Sequence, residues 1–258
     1  MAESYTTILV EDRGPIARIT LNRPDKRNPI GPATCGELVH ALAQIKTTNE
    51  TRVVVLTGAG PVFSAGGDLA AMQTPTLEGV PPASLVELFV AMHELGKPII
   101  AMVNGPALAG GMGLMVACDL VVAADTATFG TTEISVGLWP MMITAEITRS
   151  VGRKRTLEMM LTGVKLTAEE ALAAGLINRV VPPAELEGKT LELALQLAAR
   201  SPAAISLGLK AFYRSQDMEY EPQLRYLQAE LSRVLRLEDA AEGISAFLGK
   251  RPPVWKGK

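Results

Sequence analysis

Cysteine, histidine and aromatic residues are all scarce in this sequence. Its 258 residues include two cysteines and two histidines, and Phe, Trp and Tyr together make up 4%. Cys35 and Cys118 stand alone, so they build neither a disulfide framework nor a zinc site. His40 and His93 each fall on a helix-like segment, which argues against a histidine-based triad or a histidine-rich metal centre. No metal is expected. A dominant sign of charge is missing too. The 25 basic and 27 acidic residues leave a net charge of −2, with no electrostatic footprint for nucleic acid or an anionic membrane surface. The longest apolar stretch, Leu114 to Ala124, is broken by Asp119 and is too short to span a bilayer. Met1-Ala2-Glu3-Ser4-Tyr5 carries an acid where a signal peptide needs a basic flank. These absences lead to the expectation of a soluble, cytoplasmic, globular protein with neither nucleic acid nor membrane as partner. Apolar residues are plentiful: 48% of the chain is hydrophobic and 20% charged, with mean hydropathy +0.21. Such a chain buries a sizeable core and is not dominated by disorder.

Periodicity predicts an α/β protein. Thr6–Val10 and Ile16–Leu21 are β-branched runs joined by Glu11-Asp12-Arg13-Gly14-Pro15, which reads as a hairpin. Leu38, Ala41, Leu42 and Ile45 recur at helical spacing, as do Leu85, Leu88, Met92 and Leu95. Arg52–Thr57, Pro98–Val103 and Asp119–Ala123 read as buried strands between such helices. Strands alternating with helices imply parallel pairing and right-handed crossovers. Thr167-Ala168-Glu169-Glu170 fits a capping box, with Gly175 as the stop of that short helix. From Pro183 onward the pattern is helical, with one stripe on Leu191, Leu195 and Ala198 and another on Leu224, Leu227, Leu231, Val234 and Leu235. The expected division is a core over residues 1–200 and a helical region over 201–258.

Glycine-rich loops invite nucleotide readings, and the residues argue against them. Gly58-Ala59-Gly60 follows a strand, but Phe63 holds the third fingerprint position. Gly111-Met112-Gly113 fails in the same way at Val116, and Gly105–Gly110 is followed by Gly111 where a P-loop needs lysine. Ser64 lacks the leading glycine of a nucleophile elbow. Two clusters remain at strand-to-helix turns: Ser64-Ala65-Gly66-Gly67-Asp68-Leu69 and Asn104-Gly105-Pro106-Ala107-Leu108-Ala109-Gly110-Gly111-Met112-Gly113. Spacing alone leaves two readings open. The glycines either permit tight turns and close packing, or they let backbone N–H groups converge on one oxygen as an oxyanion hole.

Taken together, the residues resemble the crotonase superfamily, the enoyl-CoA hydratases and isomerases. The likeness lies in Leu21-Asn22-Arg23-Pro24 with Arg27-Asn28, Val54–Gly58, Phe63–Leu69, Lys97–Gly105 running into the second glycine cluster, and Ala117-Cys118-Asp119. It continues through Phe129-Gly130, Glu133, Gly137-Leu138, Leu161-Thr162-Gly163, Ala171–Asn178 and Ala246–Arg251, in order along nearly the whole chain. The resemblance implies a spiral of repeated ββα units with a C-terminal helical trimerisation region, assembled as a homotrimer or homohexamer. It implies an acyl-CoA substrate, with coenzyme A entering as part of that substrate and no separate cofactor. It also implies the Gly67 and Gly110 N–H groups as oxyanion donors and Arg27 near the coenzyme A phosphates. The backbone of Ala65, Asp68 and Leu69 would border the adenine and pantetheine, and Phe247 with Lys250 would reach the coenzyme A of a neighbouring subunit.

One departure bears on the chemistry. Hydratases of this superfamily carry one glutamate three residues beyond the second oxyanion glycine and another after the Phe-Gly pair. Here the first position is Gly113 and the second is Glu133. Two carboxylates suit addition of water, whereas one can shuttle a proton between C2 and C4 of a 3-enoyl-CoA. The expectation is an acyl-CoA enzyme with Glu133 as its single acid/base, isomerisation favoured over hydration. The bulky segment Leu138-Trp139-Pro140-Met141-Met142 follows, and Trp139 and Met141 are candidate pocket-lining residues. The alternative is a non-catalytic acyl-CoA-binding member that has lost one carboxylate.

Overall fold

Strands β1 (Ile8–Arg13) and β2 (Ile16–Leu21) open the computed structural model, which describes residues 5–68 and 79–258. They pair antiparallel, and β2 then pairs in parallel with β3 (Val53–Gly58). Parallel pairing continues through β4 (Ile99–Val103), β6 (Leu120–Ala124) and β9 (Arg179–Val181), giving the order β1-β2-β3-β4-β6-β9. The hairpin is longer than the sequence pattern predicts. Glu11, Asp12 and Arg13, expected in the loop, pair with Arg18, Ala17 and Ile16. Because β1 is the sheet edge, their side chains stay in water and charge costs nothing there.

Alternation along the parallel strands divides the core into two layers. Val54 and Leu56 of β3, Ile99, Ala101 and Val103 of β4, and Val121 and Ala123 of β6 belong to one cluster. Their neighbours Val53, Val55, Ile100, Met102, Val122 and Ala124 belong to the other. With both faces covered, the strands read as continuous apolar runs. Helices α1 (Pro32–Thr47), α2 (Leu85–His93) and α3 (Gly110–Val116) all bury their apolar residues in the first layer. The second layer is closed by α6 (Leu186–Ala198) through Leu186, Leu193 and Ala194. From β2 to β6 the strand order steps one way only. Right-handed crossovers then place α1, α2 and α3 on one side, and the reversal that defines a dinucleotide crevice is missing from this sheet.

A second sheet of β5 (Ala107–Leu108), β7 (Thr128–Gly130) and β8 (Lys165–Thr167) is joined to the loop after β3 by a bridge between Ser64 and Ala107. Helix α4 (Met141–Thr162) breaks at Gly152, whose φ of 74° and ψ of 167° divide it into two halves. Helix α5 (Ala168–Ala173) has the capping box the sequence predicts, Thr167 and Glu170 bonding reciprocally. The C-terminal helices α7 (Pro202–Ser215), α8 (Tyr220–Val234) and α9 (Glu238–Leu248) follow. α7 is fastened to the core by Tyr213 Oη donating to Asp119 Oδ1 at 2.6 Å, with the His93 ring stacked on Tyr213 at 4.0 Å. His40 hydrogen-bonds Tyr5 Oη at 3.0 Å, so both histidines serve packing. α8 buries no residue, and Leu224, Leu227, Leu231 and Leu235 are exposed along it. Among the described residues no helix is long and apolar enough to cross a membrane, and no cluster of candidate metal ligands occurs.

Candidate active site

The two glycine clusters leave the C-terminal ends of neighbouring strands β3 and β4, so the sheet itself brings them together. Ser64 N donates to Pro106 O and Leu108 N donates to Ser64 O, which locks one turn against the other. On the far side the first turn pairs with Ile30. Ile30 N donates to Gly66 O, and Asp68 N donates to Ile30 O. In a parallel ladder the residue between those two points its N–H the opposite way, so Gly67 N–H is left without a backbone acceptor among the described residues. Gly110 is the first residue of α3, where an N–H has no partner within the helix. A Cβ placed on Gly110 would lie 3.7 Å from Gly67 N, so the two turns approach each other closely at these residues.

Two backbone conformations hold this arrangement. Ala109, with φ 49° and ψ −127°, occupies a region that alanine rarely enters, and its N–H donates to Gly130 O. Its neighbours therefore fix the peptide that carries the Gly110 N–H. Gly66 has φ +117°, and a Cβ there would lie 2.8 Å from Ala109 Cβ, so only glycine allows the approach.

The Ala109–Gly130 bond also ties the second glycine turn to the segment carrying Glu133, which lies three residues beyond Gly130 on a short 3-10 turn, Thr132–Val136. Glu133 is half-buried, and its Oε2 is buried with no hydrogen-bond partner among the described residues. Burial holds its pKa above the ordinary carboxylate value, slightly offset by its own backbone N–H. Thr131 Oγ1, two residues earlier, is likewise buried and unpartnered. A native structure seldom leaves two such atoms two residues apart unless something else satisfies them. Nothing in the residue pattern singles out Thr131.

Gly113 is occupied ground. It is buried in α3, and a Cβ there would overlap Ile143 Cγ2 and lie 2.8 Å from Ile143 Cβ, with Phe89 Cζ at 3.4 Å. Ile143, from the first half of α4, fills the space that a side chain at Gly113 would need. Trp139 is partly buried against the core, whereas Met141 is exposed at the start of α4. Leu85 Cδ1 lies 4.0 Å from a Cβ placed on Gly110, so a residue singled out only for its helical periodicity helps wall the site.

The remaining candidates fall in two places. Arg27 is exposed in a left-handed turn (φ 60°) beside the first glycine loop, its carbonyl accepting from Ala65 N. The N–H groups of Ala65 and Asp68 are thus spent on backbone partners. The Asp68 carboxylate pairs with Arg23 at 2.6 Å, clamping the loop. Leu69 lies outside the described residues. Asn28, buried at φ 53°, ties the turn together: its Oδ1 accepts from Arg23 N, and its Nδ2 donates to Ala59 O and Val62 O. Phe247 and Lys250 stand exposed at and just beyond the end of α9, which packs on α7, and among the described residues neither bonds to the glycine loops.

The chain as a whole is similar to known proteins. Residues 11–258 match the family described as Enoyl-CoA hydratase/isomerase. The carnitinyl-CoA dehydratase of Salmonella paratyphi A is 39% identical over 257 residues, covering 95% of this chain and 96% of that protein. The 2,3-dehydroadipyl-CoA hydratase of Escherichia coli is 36% identical over 256 residues, covering 97% and 99% respectively. A solved enoyl-CoA hydratase of Mycobacterium smegmatis superimposes with a TM-score of 0.89 at 32% identity, covering 97% of this chain and 99% of that one.

Proposed function

Because the chain belongs to the enoyl-CoA hydratase/isomerase family of enzymes and has the crotonase fold, we propose that it acts on an enoyl-CoA thioester with Glu133 as its single acid/base. The thioester oxygen lies between the N–H groups of Gly67 and Gly110, which stabilise the enolate formed as a proton leaves C2. Each such donor contributes on the order of 3 kcal/mol to the transition state. The observation that carries the assignment of Glu133 is its buried, unpartnered Oε2 on the turn bonded to Ala109.

The reading supported best is double-bond isomerisation. The Glu133 carboxylate takes the C2 proton of a 3-enoyl-CoA, and the C–H electron pair becomes the dienolate. Glu133 then returns the proton to C4, and the enolate electrons collapse to a C2–C3 double bond. Ile143 against Gly113 supports this choice, because a second carboxylate has no room at that position. Hydration is the second reading, favoured by the hydratase and dehydratase names of the relatives. In it Glu133 takes a proton from water as the oxygen adds at C3, then delivers that proton to C2.

A panel of 2-enoyl- and 3-enoyl-CoAs separates the two, with exchange of C2 and C4 protons followed in heavy water. Conversion of 3-enoyl to 2-enoyl thioesters with exchange at both carbons is expected. Accumulation of 3-hydroxyacyl-CoA as the main product would establish hydration instead. Tight binding with neither turnover nor exchange would mark a non-catalytic acyl-CoA binder. Coenzyme A phosphates would pair with Arg27, and Phe247 with Lys250 would approach the ligand of a neighbouring copy. The exposed leucines of α8 supply the face for a homotrimer or homohexamer. Light scattering should give three or six times the 27.4 kDa chain mass, and a monomer at micromolar concentration would refute the assembly.

A further inference from the structure

A cleft of about 690 Å³ opens between the C-terminal end of α1, the loop before β4, the N-terminal turn of α7 and the segment Lys256–Lys258. Gly67 and Gly110 follow the C-terminal ends of β3 and β4, whereas this cleft lies at the N-terminal ends of the same strands, on the opposite edge of the sheet. Its charged lining is all lysine and arginine among the described residues, with no aspartate or glutamate. In a chain whose net charge is −2, that concentration of one sign is local and specific.

The packing forces these cations together. The Lys210 stem lies across Gly96, where a Cβ would stand 3.1 Å from Lys210 Cε and 2.6 Å from Ser206 Oγ. The Arg52 guanidinium faces the start of α7, since a Cβ placed on Gly257 would lie 3.9 Å from Arg52 Nη1 and 3.3 Å from Pro202 Cγ. Arg52 and Lys210 are half-buried, and neither has an ion pair among the described residues. Lys46 and Arg200 on the rim are likewise without one. The carboxylates nearby are already engaged. Asp239 accepts from Ser201 Oγ and from the backbone N–H groups of Lys256 and Gly257, while Glu230 pairs with Arg233 and Glu238 with Lys256. Lys97 donates to the carbonyls of Ile45 and Thr48, closing α1. Its pKa is lowered by burial and then by Arg52, with Glu50 opposing, so the cationic surplus is felt inside the cleft.

We propose that this cleft binds a small molecule carrying linked phosphate groups, with Arg52 and Lys210 as its principal anchors. A volume of this size suits a ligand of nucleotide dimensions, and Leu95, Leu197, Ile205 and Leu237 offer an apolar wall beside the charges. Half-buried cations gain most from such an anion because their interaction is less screened than at an open surface.

The test uses the full chain with ATP and inorganic tripolyphosphate as probes, by calorimetry and thermal shift at constant ionic strength. Saturable binding of ATP is expected in the presence of saturating coenzyme A and in Arg27→Ala, because the cleft is separate from the acyl-CoA site. Arg52→Ala and Lys210→Ala should each weaken it by about tenfold or more, the loss expected for one charge-assisted contact. Both variants should retain the melting temperature and enoyl-CoA turnover of the parent, which excludes a folding defect. Tripolyphosphate binding of similar strength would assign recognition to the phosphate chain, and a clear preference for ATP would add the apolar wall. Competition by coenzyme A, loss in Arg27→Ala with retention in Arg52→Ala, or an effect matched by sulfate at equal ionic strength would each overturn the proposal.

Discussion

Two buried glutamates occupy regions built to opposite ends. Glu37, on α1, is fully buried, and both of its oxygens are satisfied by Thr6 and Thr7, just before β1. Thr6 N and Oγ1 donate to one oxygen, and Thr7 N and Oγ1 donate to the other. Glu133 is less buried, yet one of its oxygens has no partner at all among the described residues. A satisfied buried carboxylate fixes a strand to a helix and has no bonding capacity left for chemistry. An unsatisfied one is costly to the fold and is available to a substrate. Burial therefore does not distinguish these two carboxylates; the state of their lone pairs does.

The most severe way to break that contrast is to neutralise each glutamate in turn. Glu133→Gln should lower turnover by roughly 10²–10⁴-fold with acyl-CoA affinity almost unchanged, as expected for one positioned acid/base group. Full activity in steady-state assays of that variant would end the assignment. Glu37→Ala should do the reverse. It leaves buried donors on Thr6 and Thr7 without acceptors and should cost about 3 kcal/mol of stability, while the molecules that remain folded keep their kcat. Denaturant unfolding followed alongside activity distinguishes the two classes of effect.

Gly113 sharpens the same comparison, since it asks whether a second functional carboxylate could be added. Gly113→Glu should destabilise the protein by about 1–3 kcal/mol through overpacking against Ile143, without gaining hydration activity. Pairing it with Ile143→Ala opens the space, and the double variant should recover stability and shift product toward 3-hydroxyacyl-CoA. If Gly113→Glu alone melts like the parent, Ile143 is not the obstacle.

The smallest expected effect is on stability against pH. Burial raises the Glu133 pKa, so the native state binds that proton more tightly than the unfolded chain does. The stability this group contributes is present below the ordinary carboxylate pKa, about 4.3, and is lost as pH rises through the raised value. Glu133→Gln should therefore raise the melting temperature slightly at neutral pH, with the difference vanishing in acid. The acidic limb of the wild-type rate profile should likewise lie above the ordinary carboxylate range. A variant that melts lower than the parent at neutral pH would contradict the reading of Glu133 as an unsatisfied group.

Several parts of this molecule were legible from residue order. Ile16–Leu21 is a strand from end to end as its β-branched pattern predicts, and the Thr167–Glu170 box starts its helix where the hydrogen-bonding residues say it should. These features are local, set by contacts within a few positions. The true length of β1 was not legible, because charged residues look like a loop until the strand is known to lie at an edge. In sequence Asn28 is only one residue of the Arg27-Asn28 motif. Its bonds to Ala59 and Val62 span more than thirty residues and carry no periodic signal.

By itself the sequence determined the α/β class, the two glycine turns, the missing carboxylate at Gly113 and the retained one at Glu133. The class and the turns follow from short-range rules of propensity and spacing, and the two carboxylate positions follow from the resemblance to the crotonase superfamily. Tertiary structure alone decided that Gly67 and Gly110 lie close together, that Ile143 occupies the ground beside Gly113, and that Glu133 Oε2 has no hydrogen-bond partner among the described residues. It also decided that Arg52, Lys210 and their neighbours meet in one cleft, although they lie far apart in a chain of nearly balanced charge. The reason is common to all of these. Convergence, exclusion and bond satisfaction are relations between distant segments, fixed only when the parallel crossovers pack helix against sheet.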